Sequence, residues 1–229
     1  GHSGAGKSSL AGLLLGWYRP ASGHLLVDGI ELDDSHLDRL HPHIAWVDPA
    51  VQLWNRPLEE NLRYGLADGA NMAVESAIDA SELARVIERL PQGMTTPLGE
   101  GGGLVSGGEG QRVRLARALL RPGVRLAILD EPFRGLDFDQ RHKLLARSRE
   151  VWRNATLLAI SHDIAEALTF DRVLVLENGV IAEDGDPRKL AADPQSRFSA
   201  LLEAERVIRE EFWNGPEWRH LHLENGQLS

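Results

Sequence analysis

The sequence predicts an α/β fold with a mainly parallel core sheet, antiparallel β hairpins and an inserted α-helical subdomain. Three observations carry this expectation. Short, continuous apolar runs (HIAWV, RLAILD, NATLLAIS) are separated by helical stretches, as parallel strands buried on both faces require. Two turn-forming pairs, Asp28-Gly29 and Asn178-Gly179, each sit between segments that read as paired strands. Between residues 57 and 120 helical spacing takes over and no strand is evident.

In chain order, SSLAGLLLG is apolar enough for a packed helix, and GHLLVDGIEL then reads as the first hairpin. A short helix over Ser35–Leu40 leads to the strand HIAWV. NMAVESAIDA and SELARVIERL carry helical spacing within the 57–120 insertion. RLAILD and NATLLAIS are strands joined through the helical stretch DQRHKLLARSREVW. RVLVLENGVIAEDG is the second hairpin, residues 188–211 are mostly helical, and WRHLHLENGQLS ends in a last short strand.

The chain has 229 residues, enough for one large domain or a domain with a subdomain. Charged residues make up 26% and hydrophobic residues 42%, a soluble globular balance. A net charge of −9 argues against a nucleic-acid binder held by bulk electrostatics. The absence of cysteine excludes disulfides and Cys-based zinc sites. The apolar runs LLLGWY and TLLAI are far shorter than a membrane span.

The first residues, GHSGAGKSS, place Gly1, Gly6, Lys7 and Ser8 at the spacing of a phosphate-binding loop. Gly4 and Gly6 let the backbone curl around phosphates, Lys7 reaches the β- and γ-phosphates, and Ser8 sits on Mg²⁺. The helix after the loop offers free N–H groups to the anion. RLAILDEP ends an apolar strand in two carboxylates, Asp130 and Glu131, one suited to holding Mg²⁺ and the next to orienting an attacking water. In VSGGEGQRVRLARAL, Ser106, Gly107 and Gly108 precede a helix starting near Glu109, a second anion-binding helix start. One nucleotide does not need two such sites unless one serves a partner chain. Arg112, Arg114, Arg117 and Arg121 on that helix read as a solvated face. LLAISHD is an apolar strand ending at His162, pointing into the same crevice as Asp130 and Glu131.

Taken together these stretches resemble the nucleotide-binding domain of an ATP-binding cassette (ABC) transporter, an α/β P-loop NTPase. GHSGAGKSS, including Ser3 and Ser9, is similar to Walker A, VSGGEGQR to the signature motif and LAILDEP to Walker B. RGLD is similar to the D-loop and SHD to the H-loop, all in family order. The resemblance covers residues 1–205, with 206–229 a C-terminal extension that carries no functional reading. It implies an ATPase that binds ATP and Mg²⁺ and works as a head-to-tail dimer, each ATP between one chain's Walker A and the other's signature. By the same resemblance Gly1, Ser3, Gly4, Gly6, Lys7, Ser8 and Ser9 hold phosphates, and Ser8 and Asp130 hold Mg²⁺. Glu131 polarises water, His162 contacts the γ-phosphate, Ser106–Glu109 complete the partner's site, and Asp137 links the two sites. TTPLGEGGGLVSGG and LEENLRYG resemble exporter segments. They imply a second nucleotide-binding domain and a transmembrane domain fused upstream as partners, no nucleic acid, and a place on the cytoplasmic face of the cell membrane. On this reading the membrane domain, the first strands and the adenine-stacking aromatic precede Gly1.

The sequence departs from the family in two places. WVDPAVQLWN puts Pro49 where a glutamine usually reaches Mg²⁺, and neither Asp48 nor Gln52 has the spacing to replace it. Arg134 holds a D-loop position usually small, while Val105 and Glu109 vary the signature. Two rival readings stand: a cassette ATPase without a membrane domain, and a degenerate nucleotide-binding regulatory module. His36, His41 and His43, with His220 and His222, read as scattered surface histidines rather than metal ligands. The tryptophans are assigned mostly to core or interface, with Trp46 and Trp54 flanking the Pro49 loop.

Overall fold

Three short apolar strands organise the larger part of the chain. The computed structural model describes residues 1, 2, 4–66, 74–214, 223, 224, 227 and 228. They form two units, Lys7–His162 and Gly1–Gly6 with Asp163–Ser229.

The Lys7–His162 unit begins with helix α1 (Lys7–Leu14). Strands β1 (Leu26–Val27) and β2 (Ile30–Glu31) pair antiparallel as the first expected hairpin. Asp28 (φ 53°) and Gly29 (φ 77°) both take the left-handed conformation that a two-residue hairpin turn demands. Helix α2 (Asp34–Leu40) starts where the Asp33 carboxylate accepts the His36 N–H. Strand β3 (Ile44–Val47) comes next, then α3 (Leu58–Arg63), α4 (Val74–Ala80), α5 (Ala84–Arg89) and α6 (Gly107–Leu119). Strand β4 (Leu126–Asp130), helix α7 (Phe138–Val151) and strand β5 (Thr156–Ile160) complete the unit. Among the described residues of 57–120, the only extended pairing is a single bridge between Pro57 and Pro97.

The sheet runs β3-β4-β5, all parallel, with β4 in the middle. The register pairs Trp46 with Ile128 and Asp130 with Ile160, so residues two apart along each strand share a face. Ile44, Ile128 and Ile160 lie on one face and pack with Ala11 and Leu15 from α1 and the residue after it. Ala45, Val47, Ala127 and Leu129, of opposite parity, are also fully buried, and α6 packs against β3. Continuous apolar runs in the sequence thus reflect burial on both faces. By the same parity, Asp130 belongs to the face covered by α1.

The second unit is built on the hairpin of β6 (Val173–Glu177) and β7 (Val180–Gly185), turned at Asn178 (φ 51°) and Gly179 (φ 81°). Helices α8 (Pro187–Ala192) and α9 (Arg197–Asn214) come after it, with α9 running unbroken through residue 205. The Glu183 carboxylate accepts from the Ser196 hydroxyl and from the N–H groups of Arg197 and Phe198, satisfying the start of α9. Glu205 on α9 accepts from the N–H groups of Ile164 (3.2 Å) and Ala165 (2.9 Å). Instead of one last strand, the tail carries two short ones, β8 (Leu223–Glu224) and β9 (Gln227–Leu228), paired antiparallel.

Residues Gly1–Gly6 lie against the β6–β7 hairpin. The Ala5 carbonyl accepts the Gly179 N–H at 3.2 Å, and a Cβ on Gly1 would stand 1.9 Å from the Leu176 oxygen. Only a glycine fits at position 1.

Candidate functional site

Parallel strands deliver the residues at their carboxyl ends to one edge of the sheet, and here three strands deliver acids and a histidine. Asp48 lies just past β3, Asp130 and Glu131 end β4, and His162 lies two residues past β5. Asp48 has the parity of Trp46, hence of Asp130, and stands beside it.

At the start of α1 the Ser8 hydroxyl donates to Asp130 Oδ2 at 2.9 Å, joining residues 122 apart in sequence. Asp130 is 8% exposed. Burial pushes its carboxyl above the usual range, as do the neighbouring Asp48 and Glu131 charges, while the Ser8 hydrogen bond and Lys7 pull the other way. Glu131 adopts φ 45°, a left-handed conformation for a side chain that rarely takes it. Its N–H donates to the Ile160 carbonyl at 2.9 Å, which holds the turned backbone against β5. The turn aims Glu131 at His162, whose Nε2 lies 2.5 Å from Oε1. Within this unit Ser8 is thus bonded to Asp130 and His162 to Glu131, with the Lys7 charge acting on Asp130.

Upstream, Gly4 (φ 79°) and Gly6 (φ 100°) hold positive φ, the freedom expected of a phosphate loop. Ser3 lies outside the described residues. Ser9 is exposed on α1.

The second predicted anion site is also built as a helix start. Ser106 caps α6: its hydroxyl accepts the Glu109 N–H, and Glu109 Oε2 accepts the Ser106 N–H at 2.8 Å. The other Glu109 oxygen pairs with Arg89. A Cβ on Gly108 would meet Leu136 Cδ2 at 2.7 Å, so this glycine permits close contact with the RGLD segment. Gly107 has open space around its Cα. An open groove of about 660 Å³ runs past Ser106, Gly107, Arg85, Arg89 and Leu136. Asp137 caps α7, accepting the Gln140 N–H at 2.8 Å.

The arginines of α6 correct the sequence reading. They do not form a solvated face. Arg117 is 9% exposed; its Nε donates to the Asn61 carbonyl (2.7 Å) and its Nη1 to that of Gln52 (3.2 Å), beneath the Trp54 and Tyr64 rings. Burial, then the charge of Arg114, pushes its guanidinium down to about 10. Arg114 Nε donates to the Val51 carbonyl at 2.7 Å. Arg112 bonds the Glu82 carboxylate at 3.0 Å and Gln140 at 2.5 Å. Arg121, which the sequence reading places on this helix, lies two residues past its end and is half-buried. With α6 packed against α3, α4 and β3, Arg114 and Arg117 face backbone carbonyls and Arg112 faces side-chain acceptors rather than water.

At the Pro49 position the chain makes a tight turn: Val51 N–H donates to the Asp48 carbonyl at 3.0 Å and Ala50 N–H to Asp48 Oδ1 at 2.6 Å. Proline suits the second place of such a turn. Gln52 donates to the Leu53 carbonyl at 3.3 Å, a bond to the adjacent backbone. The histidines bond singly: His36 to Asp33, His41 to the Leu15 carbonyl, His43 to that of Gly123. Among the described residues no three His, Cys, Asp or Glu side chains are grouped to hold a metal. His220 and His222 lie outside them. Trp46 packs edge-on against Trp17, and Trp54 against Tyr64.

The sequence reading weighs Asp48 only as a stand-in for the missing glutamine or an outer-sphere partner of Mg²⁺; its place beside Asp130 and the arginine ties of α6 escape it. HIAWVD and LAILD share one pattern, an apolar run ending in Asp, and that shared pattern marks Asp48.

A family model described as ABC transporter matches residues 1–134. The chain belongs to the ABC transporter family. It is 38% identical over 203 residues to an ATP-dependent lipid A-core flippase of Chromobacterium violaceum, covering 89% of this chain and 33% of that protein. It is 34% identical over 203 residues to the mitochondrial iron-sulfur clusters transporter of Saccharomyces cerevisiae, covering 88% of this chain and 29% of that protein. A solved structure of a bacterial Atm1-family ABC exporter with ATP bound superposes with a TM-score of 0.82 at 33% identity, over 89% of this chain and 35% of that one. The chain spans about one third of the length of the curated relatives it matches. Its fold is the α/β P-loop NTPase fold of ABC ATPases, as the sequence predicts, and it is an ATP-binding, ATP-hydrolysing domain of that type. No described helix is long and apolar enough to cross a membrane.

Proposed function

We propose that this domain, residues 1–205 with 206–229 as an extension, energises export through a membrane domain of the same longer protein, from the cytoplasmic face of the membrane. The observation that carries the reading is the convergence of Ser8, Asp130, Glu131 and His162 at the carboxyl ends of β4 and β5. Gly1, Ser3, Gly4, Gly6, Lys7, Ser8 and Ser9 cradle the phosphates of ATP. The hydroxyl of Ser8 and the carboxylate of Asp130 are hard oxygen donors suited to Mg²⁺, which is commonly held by one or two protein oxygens together with substrate phosphates. When bound, Mg²⁺ neutralises charge on the transferring phosphate. Glu131 orients the attacking water, and His162, already against Glu131, contacts the γ-phosphate. Ser106, Gly107, Gly108 and Glu109 face the nucleotide of a second such domain set head to tail, with Asp137 linking the two sites.

Glu131→Gln in the full-length protein tests this. The substitution preserves size but removes the charge, so hydrolysis is expected to fall by about 10²–10⁴. ATP affinity persists and ATP-bound dimers accumulate. Unchanged turnover removes Glu131 from this role.

A further inference from the structure

Helix α6 buries a glycine, Gly110, one turn before Arg114. Glycine inside a helix is unfavourable relative to alanine, and the structure shows what its missing side chain permits. A Cβ on Gly110 would stand 3.0 Å from Arg114 Nη1, so the guanidinium folds back over the preceding turn into space that glycine leaves. From there Nε reaches the Val51 carbonyl at 2.7 Å. Arg117 holds the next carbonyl, Gln52, at 3.2 Å. The loop between them and β3 is closed by its own turn at Asp48, whose charge favours the Arg114 cation. Two consecutive carbonyls of the loop are thus gripped by charged donors from the helix that Ser106 caps.

We propose that Arg114 is a positioning residue that yokes the Asp48–Leu53 loop to α6, so that the loop and the Ser106–Gly108 helix start move as one piece when nucleotide binds. This rests on the reading of Ser106–Gly108 as part of a nucleotide site. Pro49 offers no side-chain hydrogen bond, so the loop is tied to the helix through its backbone carbonyls. Coupling between separated sites is carried by hydrogen-bond networks and rigid secondary elements, and the Arg114 and Arg117 bonds join the loop to such an element.

The test uses the full-length protein with Glu131→Gln, following hydrogen exchange with and without ATP. With Arg114 present, ATP is expected to protect amides 50–54 together with those of 107–110. Adding Arg114→Ala is expected to lower the ATP-dependent protection of 50–54 several-fold while 107–110 keep theirs. In the otherwise wild-type protein, Arg114→Ala lowers kcat about five- to tenfold with KM for ATP within twofold. Gly110→Ala crowds the guanidinium without removing it and gives a smaller fall in kcat, with a melting temperature no lower than wild type. Equal protection of 50–54 with and without Arg114 overturns the proposal, as does a fall in kcat that merely tracks lost thermal stability. Absence of ATP-dependent protection at 107–110 before any change at Arg114 overturns the reading of the Ser106 site instead, so the two failures are told apart.

Discussion

Asp130→Asn separates what the site costs from what it does. Asp130 is 8% exposed and lies beside the carboxylates of Asp48 and Glu131. At the spacing of neighbouring strands, about 5 Å, two like charges repel by about 3 kcal/mol at an effective dielectric of 20. The Ser8 hydrogen bond to a charged acceptor returns about 1.5–3 kcal/mol, and Lys7 adds attraction. Asparagine keeps an oxygen acceptor for Ser8 and removes the charge. Free of nucleotide and Mg²⁺, the variant is therefore expected to be more stable than wild type by about 1 kcal/mol, or about 2–4 °C in Tm for a chain of this size. The pH dependence checks the cause. Because the folded pKa of Asp130 is raised above 3.8, its stabilising contribution is complete below that value and lost as pH rises through the folded value. The gain from Asn should be present at pH 7 and shrink toward pH 4. On the proposed role of Asp130 at Mg²⁺, activity moves the opposite way: losing several kcal/mol of charge stabilisation there lowers hydrolysis by about 10²–10³. Thermal melts in EDTA across pH, with ATPase assays of the full-length protein, decide the matter. A lower Tm in EDTA at pH 7, or unchanged Mg²⁺-dependent hydrolysis, refutes the reasoning.

Arg117→Ala is expected to destabilise the domain by about 3 kcal/mol, because it strands the buried Asn61 carbonyl as well as deleting the bonds to Asn61 and Gln52; a urea midpoint within experimental error of wild type contradicts this. Asp33→Ala removes the cap of α2. The His36 N–H and side chain and the Ser35 hydroxyl hold the Asp33 carboxyl down at about 2, so its contribution is present above pH 3.8 and disappears as pH falls through about 2. The gap in urea midpoint between Asp33→Ala and wild type should narrow over that window, and a gap independent of pH rules the cap's charge out.

Local rules made much of this protein legible. The β3 and β4 runs are apolar because both their faces are covered, and that burial is written into consecutive residues. Asp28-Gly29 and Asn178-Gly179 mark their turns because few other pairs tolerate two positive φ values in succession. The spacing of Gly1, Gly6, Lys7 and Ser8, and the carboxylates and His162 at strand ends, arise from chemistry that binds neighbouring residues together. Tertiary structure decided what depends on neighbours distant in sequence. Only the parallel register brings Asp48 beside Asp130, and only the seat of α1 on that face joins Ser8 to a carboxylate 122 residues away. The α6 arginines show the limit most clearly. Charges at helical spacing look alike whether they face water or a ring of carbonyls, and the difference lies in α3, α4 and β3, which enclose the helix.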